Sequence, residues 1–354
     1  MYEAVIELAH RAWEVPLYLK FVGSGTLFAF TILSTYVITS IRFYFYAYVQ
    51  EGERKTPPTL PYWIPLIGHT IRMTRDGHSL YEAAASVKLS FRKTVLANAF
   101  LRTAHPKHIT GVHIADMYCY IISGGENINK VLRSSRVQTM DPVFLEVTRK
   151  CFNLPQSDFD ILAADTSGHH KIPLTDIPEE KRIMRQGYVV QNTQIKGTET
   201  LESLSRIFNR EFQLVMDERT IGKKWETISL HEFSKANMSN ATERSMLGRS
   251  IFKHCPTITE DFWVFLNGAI KLFMGVPKFM CKDIHTSRDR LISGWEKHLS
   301  ELEDRHEKIM QEDLEWEPEL GARVNRLRDA VNKNCGVSVR GRAGLMSGFM
   351  IAYV

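Results

Sequence analysis

From Phe21 to Ile41 the chain runs through 21 consecutive residues without a charge (FVGSGTLFAFTILSTYVITSI), fenced by Lys20 and Arg42. At helical rise this is the thickness of a bilayer's hydrocarbon core, and no other feature constrains the fold as strongly. A core helix would keep a polar face. A cleaved signal peptide would have a shorter apolar centre, a basic start and a small-residue cleavage site, and instead the run leads into Phe43-Tyr44-Phe45-Tyr46. Such rings suit the headgroup level, as does Tyr18 at the other end. The segment is therefore expected to be a single-pass transmembrane helix, preceded by a tail over residues 1–20. Arg11 and Lys20 precede the span while Arg42, Arg54 and Lys55 follow it. That imbalance predicts a main domain on the cytosolic side.

The rest has the composition of a globular protein, with 44% apolar and 24% charged residues. A net charge of +5 in 354 residues, with no aromatic-studded basic run, argues against a nucleic-acid partner and leaves an anionic membrane surface or an acidic partner open. Five widely spaced cysteines, Cys119, Cys151, Cys255, Cys281 and Cys335, lack any C-x-x-C and are expected as reduced cytosolic thiols. The sequons at Asn237 and Asn240 fall in a predicted helix and are read as chance.

After the charged patch EGERK comes PPTLPYWIPLIGHT, where Pro57, Pro58, Pro61 and Pro65 fix φ and remove donors, predicting an extended, semi-rigid hinge that closes at Gly68. Residues 42–68 form this aromatic, charged and proline-rich connection. Beyond it, 69–87 reads as a helix interrupted by Gly77. Ile109–Ile114 and Met117–Ile122 read as a small β-hairpin turning at Ala115-Asp116, and ENINKVLRS as a short helix. The remainder is helical. Ser229 with Glu232 and Thr257 with Glu260 fit the S/T-x-x-E capping box. Phe262, Phe265, Leu266, Ala269, Leu272 and Phe273 make one apolar face that ends at Gly275 and Pro277. Leu291, Trp295, Leu299 and Leu302 make another, along a helix expected over Asp283–Gln311 with Glu301/Arg305 and Asp304/Lys308 pairs outside. The fold class is mainly α (α+β).

The anchor, the proline hinge ending in Gly68-His69, the helix–hairpin–helix order and the run from SLHEFSKANMSN to SRDRLISGWEKHL together resemble the N-terminal part of a fungal microsomal cytochrome P450, near the sterol-hydroxylase and prostacyclin-synthase-like branch. The resemblance implies an incomplete P450-like domain over residues 69–354 and a haem-thiolate monooxygenase lineage. It further implies haem as cofactor, an NADPH-dependent reductase as partner, an apolar substrate (a sterol, lipid or secondary metabolite) and an endoplasmic-reticulum location.

The family's F-x-x-G-x-x-x-C-x-G loop, whose cysteine would hold the iron, is absent. Phe265-Gly268 comes nearest, with Leu272 at the ligand position. The E-x-x-R pattern occurs at Glu51/Arg54 and Glu179/Arg182, neither after a long oxygen-binding helix, and receives no role. No catalytic, haem-binding or metal-ligating residue is therefore assigned, and the chain is expected not to bind haem or to act as a monooxygenase by itself. The alternative is a membrane-tethered, non-catalytic binding protein of the same descent. The closing segment AGLMSGFMIAYV resembles the start of the helix that crosses the haem face, so the chain is expected to be a fragment or the product of a mis-predicted gene. Residues 83–115 carry Lys88, Arg92, Lys93, Arg102 and Lys107 and no acid, where the family has a shorter connection, and are read as a solvated loop or retained non-coding sequence. His105, His108 and His113, and His169-His170 near Asp165, are weak metal-like spacings without a matching ligand set.

Overall fold

A computed structural model describes residues 17–48, 57–85, 109–114, 117–134, 140–220, 224–225, 227–311 and 314–351. The chain divides into two compact units, Met1–Val137 and Gln138–Val354. It is mainly helical, with two short antiparallel strand pairs among the described residues.

The first unit opens with helix α1 (Leu17–Tyr48), within which Gly25–Phe43 is long and apolar enough to cross a membrane. Helix α2 (Thr70–Ala85) is kinked at Asp76, the neighbour of the expected Gly77 break, where φ and ψ leave the helical region. The Asp76 carboxylate accepts from the Ser79 amide and restarts the helix. Strands β1 (Ile109–Ile114) and β2 (Met117–Ile122) pair in antiparallel register from Ile109 with Ile122 to Ile114 with Met117, as the alternating pattern predicts. The turn at residues 115–116, the EGERK patch, and Lys88, Arg92, Lys93, Arg102, Lys107, His105 and His108 lie outside the described residues. Helix α3 (Gly125–Arg133) buries none of its residues, and its Glu126–Lys130 pair spans one exposed turn.

The second unit is a helical assembly: α4 (Asp141–Lys150), α5 (Gln156–Ala164), α6 (Ile183–Ile195), α7 (Thr198–Thr220), α8 (Leu230–Leu247), the single turn α9 (Ile251–His254), α10 (Ile258–Phe273), α11 (Lys282–Leu302), α12 (His306–Gln311), the two-residue strands β3 (Trp316–Glu317) and β4 (Gly321–Ala322), α13 (Arg323–Asn334) and α14 (Val339–Met350). Helix α11 is its axis, packed by α10 and by α14. Leu291, Trp295, Leu299 and Leu302 are all buried, as their spacing requires. Phe262, Phe265 and Leu272 of α10 meet them in one core. At Gly268 the two helices come so close that a Cβ would lie 2.2 Å from Ile284 Cδ1. Helix α10 ends in a Schellman motif: Gly275 has φ +68°, its amide donates to Leu272 O, and the Val276 amide donates to Lys271 O.

Two local expectations need correction. The helix over Asp283–Gln311 stops at Leu302, and a 3₁₀ turn (Glu303–Arg305) separates it from α12. The turn redirects the charges: Arg305 reaches Glu319 rather than Glu301, and Glu301 faces Lys253 and His254. Ser229 accepts from the Glu232 amide and caps α8, but the Thr257 hydroxyl donates to the Asp261 carboxylate and makes no cap bond. Asn237 is buried in α8 and donates to Phe233 O, so the first sequon is shielded.

Glu243 of α8 is almost wholly buried. One carboxyl oxygen is hydrogen-bonded with the Thr259 hydroxyl of α10 and the other has no protein partner. Burial pushes its pKa up to about 8 from an ordinary 4.5, so it is neutral inside the protein at pH 7. An unfolded chain releases this proton near 4.5 while the folded one keeps it until about 8. The folded state thus binds more protons across that window, and Glu243's contribution is full below it and is lost as pH rises through it. Glu243→Gln is expected to flatten the fall in stability between pH 5 and about pH 8, as followed by denaturant midpoints at each pH.

Candidate functional site

The proline segment is extended, as its composition predicts, but it is not a free connector. The Gly111 amide donates to Pro58 O and the Leu60 amide to Gly111 O, both at 2.8 Å, so residues 58–60 run as a short parallel strand beside β1. Pro61 O lies 3.2 Å from His69 Nε2, and His69 Nδ1 accepts from the His113 amide at 3.2 Å. A neutral His69 protonated on Nε2 satisfies both contacts, and burial accordingly lowers its pKa. Pro65 begins a tight turn closed by Gly68 N to Ile64 O at 2.9 Å. At Gly68, φ is +59° and a Cβ would lie 2.3 Å from His113 O, so only glycine fits where the hinge docks on β1. Pro57 stands at the start of the described hinge.

The hinge also grips α1. Trp63 stacks on Tyr36 with ring centroids 3.8 Å apart and planes within 5°. Thr39 Oγ1 donates to Tyr62 O at 3.2 Å and accepts from the Tyr62 amide at 3.3 Å. These contacts fall inside the apolar window. Of the anchor residues, Ile41 and Arg42 are exposed; Lys20 and Phe21 are helical in α1.

In the second unit, α4, α5, α6, α13 and α14 enclose a cavity of about 370 Å³. Its walls are mainly apolar, with Phe144, Phe152, Leu162, Ile183, Met184, Leu345 and Phe349 among them, and polar groups come from His169, Tyr188, Gln191, Arg328 and Asn332. That mixture, an apolar body with a few convergent polar groups, suits a small hydrophobic molecule carrying one polar function. His169 Nδ1 is 2.9 Å from Asp141 Oδ1 and its ring meets Tyr188 edge-on. Arg328 lies 3.8 Å over the Phe349 ring and donates to Gln191 Oε1. Gly187 leaves a gap in the wall, because a Cβ there would touch nothing within 4 Å.

The sequence pointed to His169 only through its spacing to Asp165, and the structure separates the two: Asp165 pairs with buried Arg182 at 2.9 Å. Glu179 bonds Arg182 on its other side at 2.8 Å, so this E-x-x-R is an ion pair that fixes a loop. Tyr188, Gln191, Arg328 and Asn332 carry no motif, and only packing of distant helices brings them together. No group of three or more potential metal ligands occurs among the described residues.

The five cysteines do not fit a haem-thiolate site. None lines the cavity. Burial pushes Cys151 up to about 11 and Cys255 up to about 12, and raises Cys119, Cys281 and Cys335. The Cys151, Cys281 and Cys335 thiols donate to backbone carbonyls of Ala269, of Val276 and Pro277, and of Glu180. Donors of this kind are held as thiols, the opposite of what an iron ligand requires. Leu272, at the ligand position of the nearest F-x-x-G pattern, is buried in the core.

Because the hinge closes on β1 only through the left-handed, crowded Gly68, Gly68→Ala is expected to destabilise the first unit by more than about 1–2 kcal/mol. Limited proteolysis should show it as faster cleavage within residues 57–69, with the second unit's fragments unchanged.

No family model matches the chain. Among curated proteins it is 24% identical over 332 residues to the cytochrome P450 monooxygenase fsoE of Humicola fuscoatra, covering 87% of this chain and 51% of that one. It is 24% identical over 333 residues to the cytochrome P450 monooxygenase efuG of Hormonema carpetanum, covering 89% and 53%. To the cytochrome P450 monooxygenase calL of Penicillium decumbens it is 23% identical over 305 residues, covering 84% and 53%. The chain spans about half the length of the curated relatives it matches, and it stands in a distant relationship to the cytochrome P450 monooxygenases.

Proposed function

We propose that this chain forms the membrane anchor and the helical, substrate-receiving part of a cytochrome P450-type monooxygenase of the sterol-hydroxylase and prostacyclin-synthase-like branch. In this reading α1 crosses the endoplasmic-reticulum membrane once, with the larger part cytosolic. The substrate is an apolar small molecule: a sterol, a lipid or a secondary metabolite. Haem, and electrons from an NADPH-dependent reductase, belong to the intact enzyme. In this reading the five cysteines remain protonated thiols, and this chain alone does not act as a monooxygenase.

The observation that carries the reading is the 370 Å³ cavity between α4, α5, α6, α13 and α14, whose apolar walls and few polar groups match such a substrate. A second reading, a membrane-tethered binding protein without haem chemistry, is favoured by the five thiols being held neutral by burial.

Gly187 provides a test that leaves the core intact. Replacing it with leucine fills the open part of the cavity, and exchanging glycine for a good helix former stabilises α6 by about 0.8–1 kcal/mol. Titration of the full chain in detergent with the apolar dye N-phenyl-1-naphthylamine should give saturable binding, weakened at least tenfold in Gly187→Leu with an equal or higher melting temperature. Unaltered binding would remove the cavity from the reading. In membranes containing the chain and excess haem, the reduced carbon-monoxide difference spectrum is expected to lack a thiolate-type Soret band. A band abolished by a Cys→Ser change at Cys119, Cys151, Cys255, Cys281 or Cys335 would show the chain to be a haem-thiolate protein by itself.

A further inference from the structure

His169 lines the cavity and keeps 44% of its side chain exposed, which puts it at the rim. One of its ring nitrogens is already committed, since Nδ1 lies 2.9 Å from Asp141 Oδ1. A carboxylate only accepts, so a neutral imidazole there carries its proton on Nδ1 and leaves a lone pair on Nε2. Among the described residues no protein group bonds Nε2.

The ring is held from several sides. Asp141 is buried, and the loop that carries His169 passes over it at Gly168, where φ is +51° and a Cβ would collide with the carboxylate. On either side of His169 this loop is tied to buried Arg182, whose Nε donates to Asp165 at 2.9 Å and whose Nη2 donates to His170 O at 2.6 Å. Arg185 donates to His169 O at 3.3 Å, and Tyr188 meets the imidazole edge-on. A histidine that faces only water needs none of these supports. Fixed through its backbone and through Nδ1, the ring presents Nε2 in one direction.

The remaining wall decides what that lone pair can meet. Phe152, Leu162, Met184 and Phe349 are buried and apolar, so a ligand whose carbon skeleton lies among them brings its other end to the rim. A hydroxyl at that end gives Nε2 its missing bond, whereas a ketone, ester or ether sets one acceptor against another. We infer that His169, oriented by Asp141, selects apolar molecules that carry a hydroxyl group, with the hydroxyl at the rim and the skeleton inward. This rests on the reading of the cavity as the substrate's site.

Menthol and menthone share one carbon skeleton and differ in carrying a hydroxyl or a ketone, so they separate hydrogen-bond donation from size. Each is titrated against N-phenyl-1-naphthylamine bound to the full chain in detergent. Menthol is expected to displace the dye at about fivefold lower concentration than menthone, the worth of one hydrogen bond. His169→Phe keeps a ring at the rim and removes the acceptor; it should still bind the dye and lose the preference. In Asp141→Asn the amide can donate to Nδ1 and move the ring proton to Nε2, so the preference is expected to turn towards menthone, a reversal that loss of structure would not produce. Equal displacement by the two ligands in the unaltered chain, or a preference for menthol that survives either substitution, would overturn selection by His169 while leaving the cavity standing. No saturable dye binding by the unaltered chain would overturn the cavity reading and this inference with it.

Discussion

The second unit is organised around one buried ion pair. Arg342 of α14 reaches Asp329 of α13 through two parallel bonds of 2.9 and 2.6 Å, both side chains essentially without solvent. His306 of α12 lies 2.8 Å from the same carboxylate. Glu303, in the turn that ends α11, bonds Arg342 and Lys333 at 2.9 Å each. Burial pushes Asp329 up, but the hydrogen bonds from His306 and Arg342 outweigh it and hold the carboxyl below its ordinary range. Loss of one partner from such a pair costs about 3–5 kcal/mol, whereas an apolar replacement of the whole set is often neutral. Its role here is register: α12 and α14 both meet the Asp329 carboxylate of α13 while Glu303 holds Arg342 from its other side, and α14 can satisfy this set in one rotation only.

That rotation decides what α14 shows to its neighbours. Asp158 of α5 accepts from the Ser338 amide and hydroxyl, and Ser338 in turn caps the helix by accepting from the Gly341 amide. With the helix pinned at both Ser338 and Arg342, Gly341, Gly344 and Gly348 face the segment from Phe152 to Asp158. A Cβ at Gly341 would lie 2.2 Å from Asp158 Oδ2, and one at Gly348 would lie 2.7 Å from the Phe152 ring. The glycines let the backbones approach, and the large residues that directly follow two of them, Leu345 and Phe349, become cavity walls. A polar interaction thus shapes an apolar surface on the same helix.

Periodicity made most of the elements legible. The apolar run gave α1, the alternation gave β1 and β2 to the residue, and the 3.6-residue stripes gave α10 and all of α11 after its first residue. The break after Leu302 was hidden because 303–311 continues a helical pattern. Only the tertiary demand that Glu303 and His306 reach α13 and α14 ends the helix there. The proline hinge read as extended and semi-rigid, but the partner that holds it was not legible, since that partner is a glycine in β1, Gly111, some fifty residues away. The cavity was not legible at all. Its wall comes from five helices, and a residue such as Gly187 matters for the space it leaves, which no local pattern encodes.

Two non-glycine residues adopt left-handed backbone, Leu66 and Asn153, among those described. Asparagine tolerates that region because its short polar side chain can bond locally, so Asn153 is a local solution to a local need. Leu66 bears roughly 1–2 kcal/mol of strain. It persists because the surrounding turn is over-determined: Gly68 donates to Ile64 O, Ile67 to Pro65 O, and the His69 amide to His113 O, while the His69 ring bridges Pro61 and His113. None of these bonds involves the leucine side chain, and asparagine or glycine at 66 would keep them all while relieving the strain. What the fold keeps at that position is therefore an apolar surface and not a conformation.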